Sequence, residues 1–217
     1  MGAGLLGLNV AQQSMSVPNK RALAVGYATV LSPGITSWTA PASGRYKFYG
    51  WSGGGGGDGS SNGGASGSYF EVTKYLQRDQ AVACAVGRGE WVARDAEETE
   101  LTFSDGQVVT AGPPSAWNVP GVATGGDVNL NGSPGGEAVV SGAGAAGLGS
   151  GGGAGGLGSA SVGGGGGAPA NLPMRGAPGG QSAGLAGGSP GGGARGDDGG
   201  GGKPPGGSGL LIVVRLR

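Results

Sequence analysis

Few residues in this 217-residue chain could do chemistry, and one absence narrows the choice most. Histidine does not occur, which removes the commonest general base, metal ligand and pH-sensitive group together. Ser-His-Asp and Cys-His catalysis are thereby excluded. The densest acidic run, Asp95-Ala-Glu97-Glu98-Thr-Glu100, offers carboxylates that a two-carboxylate glycosidase would need. Consecutive acids on a turn repel one another and resist being desolvated together, so the run reads as a solvated loop entering a strand. The one cysteine, Cys84, sits in the alternating run Ala81-Val-Ala-Cys-Ala-Val-Gly87, the setting of a small buried hydrophobe. No enzymatic activity, cofactor or metal ion is expected.

With 58 glycines in the chain, glycine motifs arise by chance and need a structural context to count. Gly151-x-Gly153-x-x-Gly156 has the letters of a dinucleotide fingerprint, but no strand feeds it and no helix follows. Gly202-Lys203 runs into Pro204 where a phosphate loop requires Ser or Thr. Gly53-Gly54-x-Gly56-x-Asp58 has the form of one calcium-binding nonapeptide unit, yet it stands alone and carries Ser60 at the apolar position. Arg195-Gly196-Asp197 spells the integrin tripeptide and is read as a charged surface turn.

Overall charge points the same way. The net charge is +0 and the pI about 6.2, so there is no electrostatic footprint for nucleic acid or an anionic membrane. No run approaches the roughly 18 apolar residues of a membrane span, and none is expected to insert. The N-terminus lacks the basic and apolar regions of a signal peptide, and Leu6 stands where a myristoylation signal has Ser or Thr; the mature chain is expected to begin at Met1.

The elements that must position any binding residue are strands. Residues 1–21 carry unphased aliphatics, among them Leu5, Leu6, Leu8 and Val10, and form an N-terminal attachment arm that docks on its own core or on a partner. Residues 22–117 form a β domain with a glycine insertion at 52–67. In it Leu23, Val25, Tyr27 and Leu31 share a face, and Ile35 to Thr39 is extended. Gly44 to Trp51 sets Tyr46 and Phe48 against Arg45 and Lys47. Tyr69 to Leu76 and Ala81 to Val86 follow, the latter with Val82, Cys84 and Val86 inward. Asp105-Gly106 signals a two-residue hairpin that pairs Phe103 with Val108. The fold class is all-β: a small antiparallel β-sandwich or partly open barrel of about seven or eight strands.

Residues 118–217 hold no aromatic residue and close on the apolar strand 209–217, which returns to the β domain. Glycine here recurs with period three: Gly147-Leu-Gly, Ser150-Gly-Gly, Gly153-Ala-Gly, Gly156-Leu-Gly and Ser159-Ala-Ser, then Gly184, Gly187, Gly193, Gly196, Gly199 and Gly202, with Pro190 breaking the register. A three-residue period fits the polyproline-II type of helix, which has no internal hydrogen bonds. Its peptide groups must find partners on neighbouring helices, and glycine alone allows that approach. The expectation is a polyglycine II bundle of short, separately phased helices.

Several segments in order resemble the glycine-rich domains of bacteriophage tail proteins. They are Tyr46-Lys-Phe-Tyr-Gly-Trp-Ser-Gly-Gly-Gly-Gly-Gly57, Ser68-Tyr-Phe-Glu-Val72, Ala83-Cys-Ala-Val-Gly-Arg-Gly89 and Gly206-Gly-Ser-Gly-Leu-Leu-Ile-Val-Val-Arg215. The resemblance covers roughly residues 35–217, and the polyglycine part is similar to the polyglycine II tail-fibre tip adhesins of T-even-like phages. The acidic 95–100 run departs from that pattern. The resemblance implies a virion structural protein, assembled in the host cytoplasm, that binds a bacterial surface receptor through turns interrupting the glycine and joins other virion proteins through its arm. A homotrimer is one expected assembly. The interrupting residues are Trp117, Asn118, Asn129, Asn131, Asn171, Leu172, Met174, Arg175, Arg195 and Asp197; Trp117 and Arg175 are the expected anchors, since Trp and Arg dominate binding hot spots. The alternatives are a head fibre or capsid decoration protein and, from another class, an ice-binding protein, whose mark would be thermal hysteresis.

Overall fold

The computed structural model describes residues 28–56, 63–90, 95–135, 191–194 and 205–216. Among them ten strands form two antiparallel five-stranded sheets, with no α-helix. Sheet A has the order β1 (Ala28–Leu31), β10 (Leu210–Arg215), β3 (Gly44–Trp51), β4 (Tyr69–Leu76) and β9 (Val128–Leu130). Sheet B has the order β2 (Ser37–Thr39), β5 (Ala81–Ala85), β6 (Thr99–Thr102), β7 (Val108–Ala111) and β8 (Ala123–Thr124). The sheets share no strand, so the architecture is a sandwich and not a barrel.

The alternation in β3 does what its side chains require. Tyr46 and Phe48 point inward and are fully buried, Arg45 is exposed and Lys47 half-buried. Gly50 continues the inward phase, and the Phe70 ring of β4 fills the place its Cβ would take. The core sets Tyr46, Phe48, Phe70, Val72, Leu211 and Val213 of sheet A against Trp38, Val82, Cys84, Leu101 and Val109 of sheet B. Edge-to-face pairs hold it: Trp38 with Tyr46 at 5.1 Å, Trp38 with Phe48 at 5.7 Å, and Phe48 with Phe103 at 5.5 Å between centroids. Each such pair contributes about 0.5–1.5 kcal/mol beyond its burial.

Two local readings change. The β6–β7 hairpin does not pair Phe103 with Val108: Thr102 faces Val108, and the Phe103 amide donates to the Gln107 carbonyl at 2.9 Å. Gly106 sits at φ 84° and its amide donates back to the Phe103 carbonyl, so the connection is a three-residue loop closed by a left-handed glycine, and the register moves by one. Beyond residue 117, the short strands β8 and β9 add one edge to each sheet. The first strand is described only from Ala28; Leu23, Val25 and Tyr27 lie outside the described residues, as does the arm.

Sheet A is also apolar on its outer side. Tyr49, Trp51, Tyr69 and Ile212 are buried there, bordered by Ala28, Val30, Leu130, Leu210 and Val214. Glu71 lies among them, bonded by the Lys47 ammonium at 2.6 Å and by the Tyr69 hydroxyl at 2.8 Å. Burial, with the Glu71 carboxylate as hydrogen-bond partner and neighbouring charge, pushes the Tyr69 phenol far above its ordinary range; burial likewise raises Tyr46 and Tyr49. The folded chain therefore holds these phenolic protons more tightly than the unfolded chain does. Stability is predicted to be full below the ordinary phenol value of 10.0 and to fall as pH rises above it. Thermal unfolding across this range should show a shallower alkaline loss for Tyr69→Phe than for the parent; equal slopes would contradict the assignment.

Candidate functional site

Where the strands of sheet A run out of side chains, the pairing does not stop. After Trp51↔Tyr69 the same β3–β4 register carries on: the Ser52 amide donates to the Ser68 carbonyl at 3.2 Å and the Gly55 amide to the Ala65 carbonyl at 3.0 Å. The β10–β3 register likewise extends from Leu210↔Trp51 to a Gly54 amide that donates to the Gly207 carbonyl at 2.8 Å. What changes is the period. Bonds between a given pair of segments now recur every third residue, as in Ser52 and Gly55 to Ser68 and Ala65. The same spacing occurs in Gly64 and Gly67 to Ala194 and Gly191, and in Gly206 and Gly209 to Glu90 and Gly87.

Successive amides of one segment consequently leave in different directions. Gly53 donates to Glu97, Gly54 to Gly207 and Gly55 to Ala65, while the carbonyls of Gly54 and Gly55 accept from Glu90 and Ala194. A β-strand has only two neighbours in its sheet; through its backbone alone, segment 52–56 bonds to five separate described stretches of chain. Segments 63–68, 87–90, 131–135, 191–194 and 205–209 pack around it or one another in the same way, through Ser66 to Ser133 and Gly207 to Gly192.

Glycine is required by distance here. A Cβ on Gly53, Gly64, Gly89, Gly135, Gly193 or Gly206 would lie inside the contact distance of a backbone carbonyl oxygen, respectively that of Arg88, Gly55, Gly206, Gly63, Gly64 and Gly54. The bare Cα methylene faces that oxygen, a geometry in which Cα–H···O contacts add a second-order gain. Small hydroxyls that the sequence reading passed over tie this glycine scaffold to the sandwich. The Ser52 and Ser68 hydroxyls both donate to the Gly112 carbonyl, at 2.8 and 2.9 Å. Thr99 donates to the Trp51 carbonyl at 2.7 Å and accepts from the Gly87 amide at 2.9 Å. Ser52, Ser66, Ser68 and Thr99 are all fully buried.

The expected binding residues separate into groups. Trp117 and Asn118 are the central residues of a tight turn closed by the Ala116–Val119 bridge, with Trp117 half-buried and Asn118 exposed. The Gly135 amide donates to the Trp117 carbonyl at 2.7 Å, so the turn is fastened to the glycine segments. Val119 and Val122 beside it are exposed, and no charged residue occurs from Gly112 to Thr124. This is an apolar, proline-flanked projection. Asn129 and Asn131 serve the backbone: Asn129 accepts from the Gly126 amide and donates to the Gly126 carbonyl, and the Asn131 side-chain oxygen accepts from the Ala123 amide. Asn171, Leu172, Met174, Arg175, Arg195 and Asp197 lie outside the described residues, as do Leu5, Leu6, Leu8 and Val10, the motifs at 151–156 and 202–204, and the triplets at 147–161.

The acidic run is drawn into structure as well. The Glu97 carboxylate accepts from the Arg88 amide at 3.1 Å, its own amide donates to the Arg88 carbonyl, and its carbonyl accepts from Gly53. Among the described residues, no three or more Cys, Asp or Glu side chains come together as metal ligands would.

Adding one methyl to the scaffold should therefore cost more than its size suggests. Gly193→Ala and Gly206→Ala are each expected to lose about 1–3 kcal/mol or more, the penalty for forcing atoms into a filled space. Ser37→Ala, on the exposed face of sheet B, should stay within about 0.5 kcal/mol. Denaturant unfolding measures all three, and a neutral Gly206→Ala would sink the close-packing account. Set against known proteins, the chain matches no family model and no curated protein, so a reading of its function rests on its own residues.

Proposed function

We propose that the chain is a bacteriophage virion structural protein, a tail-fibre or tail-tip adhesin whose sandwich roots a bundle of polyglycine II helices and whose turns meet the bacterial surface. The observation that carries this reading is the period-three bonding of segments 52–56, 63–68, 87–90, 191–194 and 205–209. Three-residue helices that bond sideways on several sides are what polyglycine II consists of. Such a scaffold has no catalytic groups and little side-chain surface. Its usable chemistry lies in whatever interrupts the glycine.

The Trp117–Asn118 turn is the described interruption best suited to recognition. It is held at both ends, apolar and exposed, and an aromatic anchor with rigid support loses little entropy on binding. Arg175 is the second proposed anchor, and the arm the proposed link to other virion proteins.

Pre-incubating host cells with the purified protein in its native oligomeric state is expected to lower adsorption of the phage. Replacing both Trp117 and Arg175 by alanine should remove most of that competition, at about 2 kcal/mol or roughly thirtyfold in affinity for each anchor. A folded parent protein that leaves adsorption unchanged would contradict receptor binding and favour a capsid decoration role.

A further inference from the structure

Three asparagines fall among the described residues: Asn118, Asn129 and Asn131. An asparagine is a latent electrophile, because the backbone nitrogen of the next residue can attack its side-chain carbonyl carbon and close a five-membered succinimide ring. The side chain of that next residue obstructs the attack. Asn118 is followed by Val119 and Asn129 by Leu130, whereas Asn131 is followed by Gly132, which has no Cβ to stand in the way. Asn131 is also exposed, so water can reach the ring once it forms. By its neighbour and its exposure it is the most reactive of the three.

The fold restrains both reacting groups. The Gly132 amide, whose nitrogen would be the nucleophile, donates to the Gly121 carbonyl at 2.8 Å. The Asn131 side-chain oxygen accepts from the Ala123 amide at 3.3 Å, which fixes the carbonyl that would be attacked. Gly132 has little freedom to shift, since a Cβ on it would run into the Ser66 carbonyl. Farther along, the Ser133 amide donates to the Ser66 hydroxyl at 2.9 Å and its carbonyl accepts from the Ser66 amide at 3.0 Å. The Gly135 amide is held on the Trp117 carbonyl. Residues 131–135 must therefore lift from Ser66 and from 121–123 before the reacting atoms can meet.

We propose that Asn131–Gly132 is a deamidation site that the glycine lattice keeps silent and that reacts only when segment 131–135 opens. The chemistry needs nothing but water. The Gly132 nitrogen gives its proton to solvent and bonds to Asn131 Cγ, the Cγ–Nδ2 bond breaks, and the nitrogen leaves as ammonia with a proton taken from solvent. Water then opens the ring at one of its two carbonyls, giving aspartate or isoaspartate at position 131. In the isoaspartate the main chain runs through Cβ and Cγ, so the carbonyl that accepted from Ala123 becomes part of the main chain and the path to Gly132 is one atom longer. The lattice cannot reclose in its former register. Gly121 and Gly135 flank and fasten the Trp117 turn, so the reaction is a one-way release of its support. The effect of that release on cell binding rests on the adhesin reading, whereas the modification does not.

Peptide-resolved mass spectrometry of the full chain at mildly alkaline pH follows the conversion of the Asn131 amide to the acid. At least two hydrogen bonds must open first, so conversion in the folded protein is expected to run roughly thirtyfold or more below that of the same chain unfolded in urea. Gly135→Ala, whose methyl would run into the Gly63 carbonyl without touching the reacting atoms, is expected to speed the conversion at Asn131 and leave Asn129 intact. Equal rates in the folded and the unfolded parent would overturn the proposal, as would an unfolded chain that keeps the Asn131 amide. A folded Gly135→Ala protein that converts no faster than the parent would also overturn it. Where that variant does not fold, the comparison of folded with unfolded parent decides.

Discussion

A backbone carbonyl set against a bare Cα is the contact on which the rest depends. Around segment 52–56 the neighbouring chains approach so closely that a methyl group on Gly53, Gly64 or Gly206 has nowhere to go. Only at that separation can successive amides of one segment reach Glu97, Gly207 and Ala65 in turn. Each such bond adds about 1 kcal/mol net, and glycine loses more freedom on ordering than any other residue. A glycine array in isolation has little to offset that loss. Here the array begins already aligned, because 52–56, 63–68 and 205–209 continue β3, β4 and β10. The sandwich buries aromatic and aliphatic surface, fixes the strand register, and passes that register on to chains that bury almost no side-chain surface of their own.

The same dependence explains the placement of the C-terminal strand. β10 lies in the interior of sheet A, bonded to β1 on one side and β3 on the other, so the chain returns to the sandwich only after its glycine-rich stretch. Both ends of that stretch are pinned to one sheet, at β9 and at β10. No described residue of the core cluster that holds Phe48, Phe70, Leu101 and Leu211 comes from between them. A surface protein whose turns vary over a fixed frame has this property, and the adhesin reading draws on it.

Much of the sandwich was legible in the sequence because alternation is a strong signal when side chains are large. Gly44 to Trp51 and Tyr69 to Leu76 were read to their ends, and Val82, Cys84 and Val86 do face the core. The hairpin register was not legible, since Asp105-Gly106 suits a two-residue turn and a three-residue loop equally and the choice fell to the φ of Gly106. β8 and β9, of two and three residues, are too short to show a period. The period of three is legible in residues 147–161 and in the glycines 184, 187, 193, 196, 199 and 202, of which only Gly193 is described, whereas the described bonding with that period involves mainly segments near the sheet. Its serine and threonine ties were invisible, because a buried hydroxyl and an exposed one are the same letter. Of the candidate binding residues, Trp117 could be found as the last aromatic before the glycine, but the structural work of Asn129 and Asn131 depends on contacts that composition does not display.

The central claim is that the glycine segments beside sheet A form a fixed, hydrogen-bonded lattice and are not a linker. Amide hydrogen exchange of the native protein, resolved by residue, tests it most directly. The account predicts that the amides of Gly54, Gly55, Gly64, Gly67, Gly207 and Gly209, each bonded to a backbone carbonyl, exchange as slowly as those of β3 and β10. Exchange of these glycines at the rate of an unprotected chain, with β3 and β10 still protected, would contradict it.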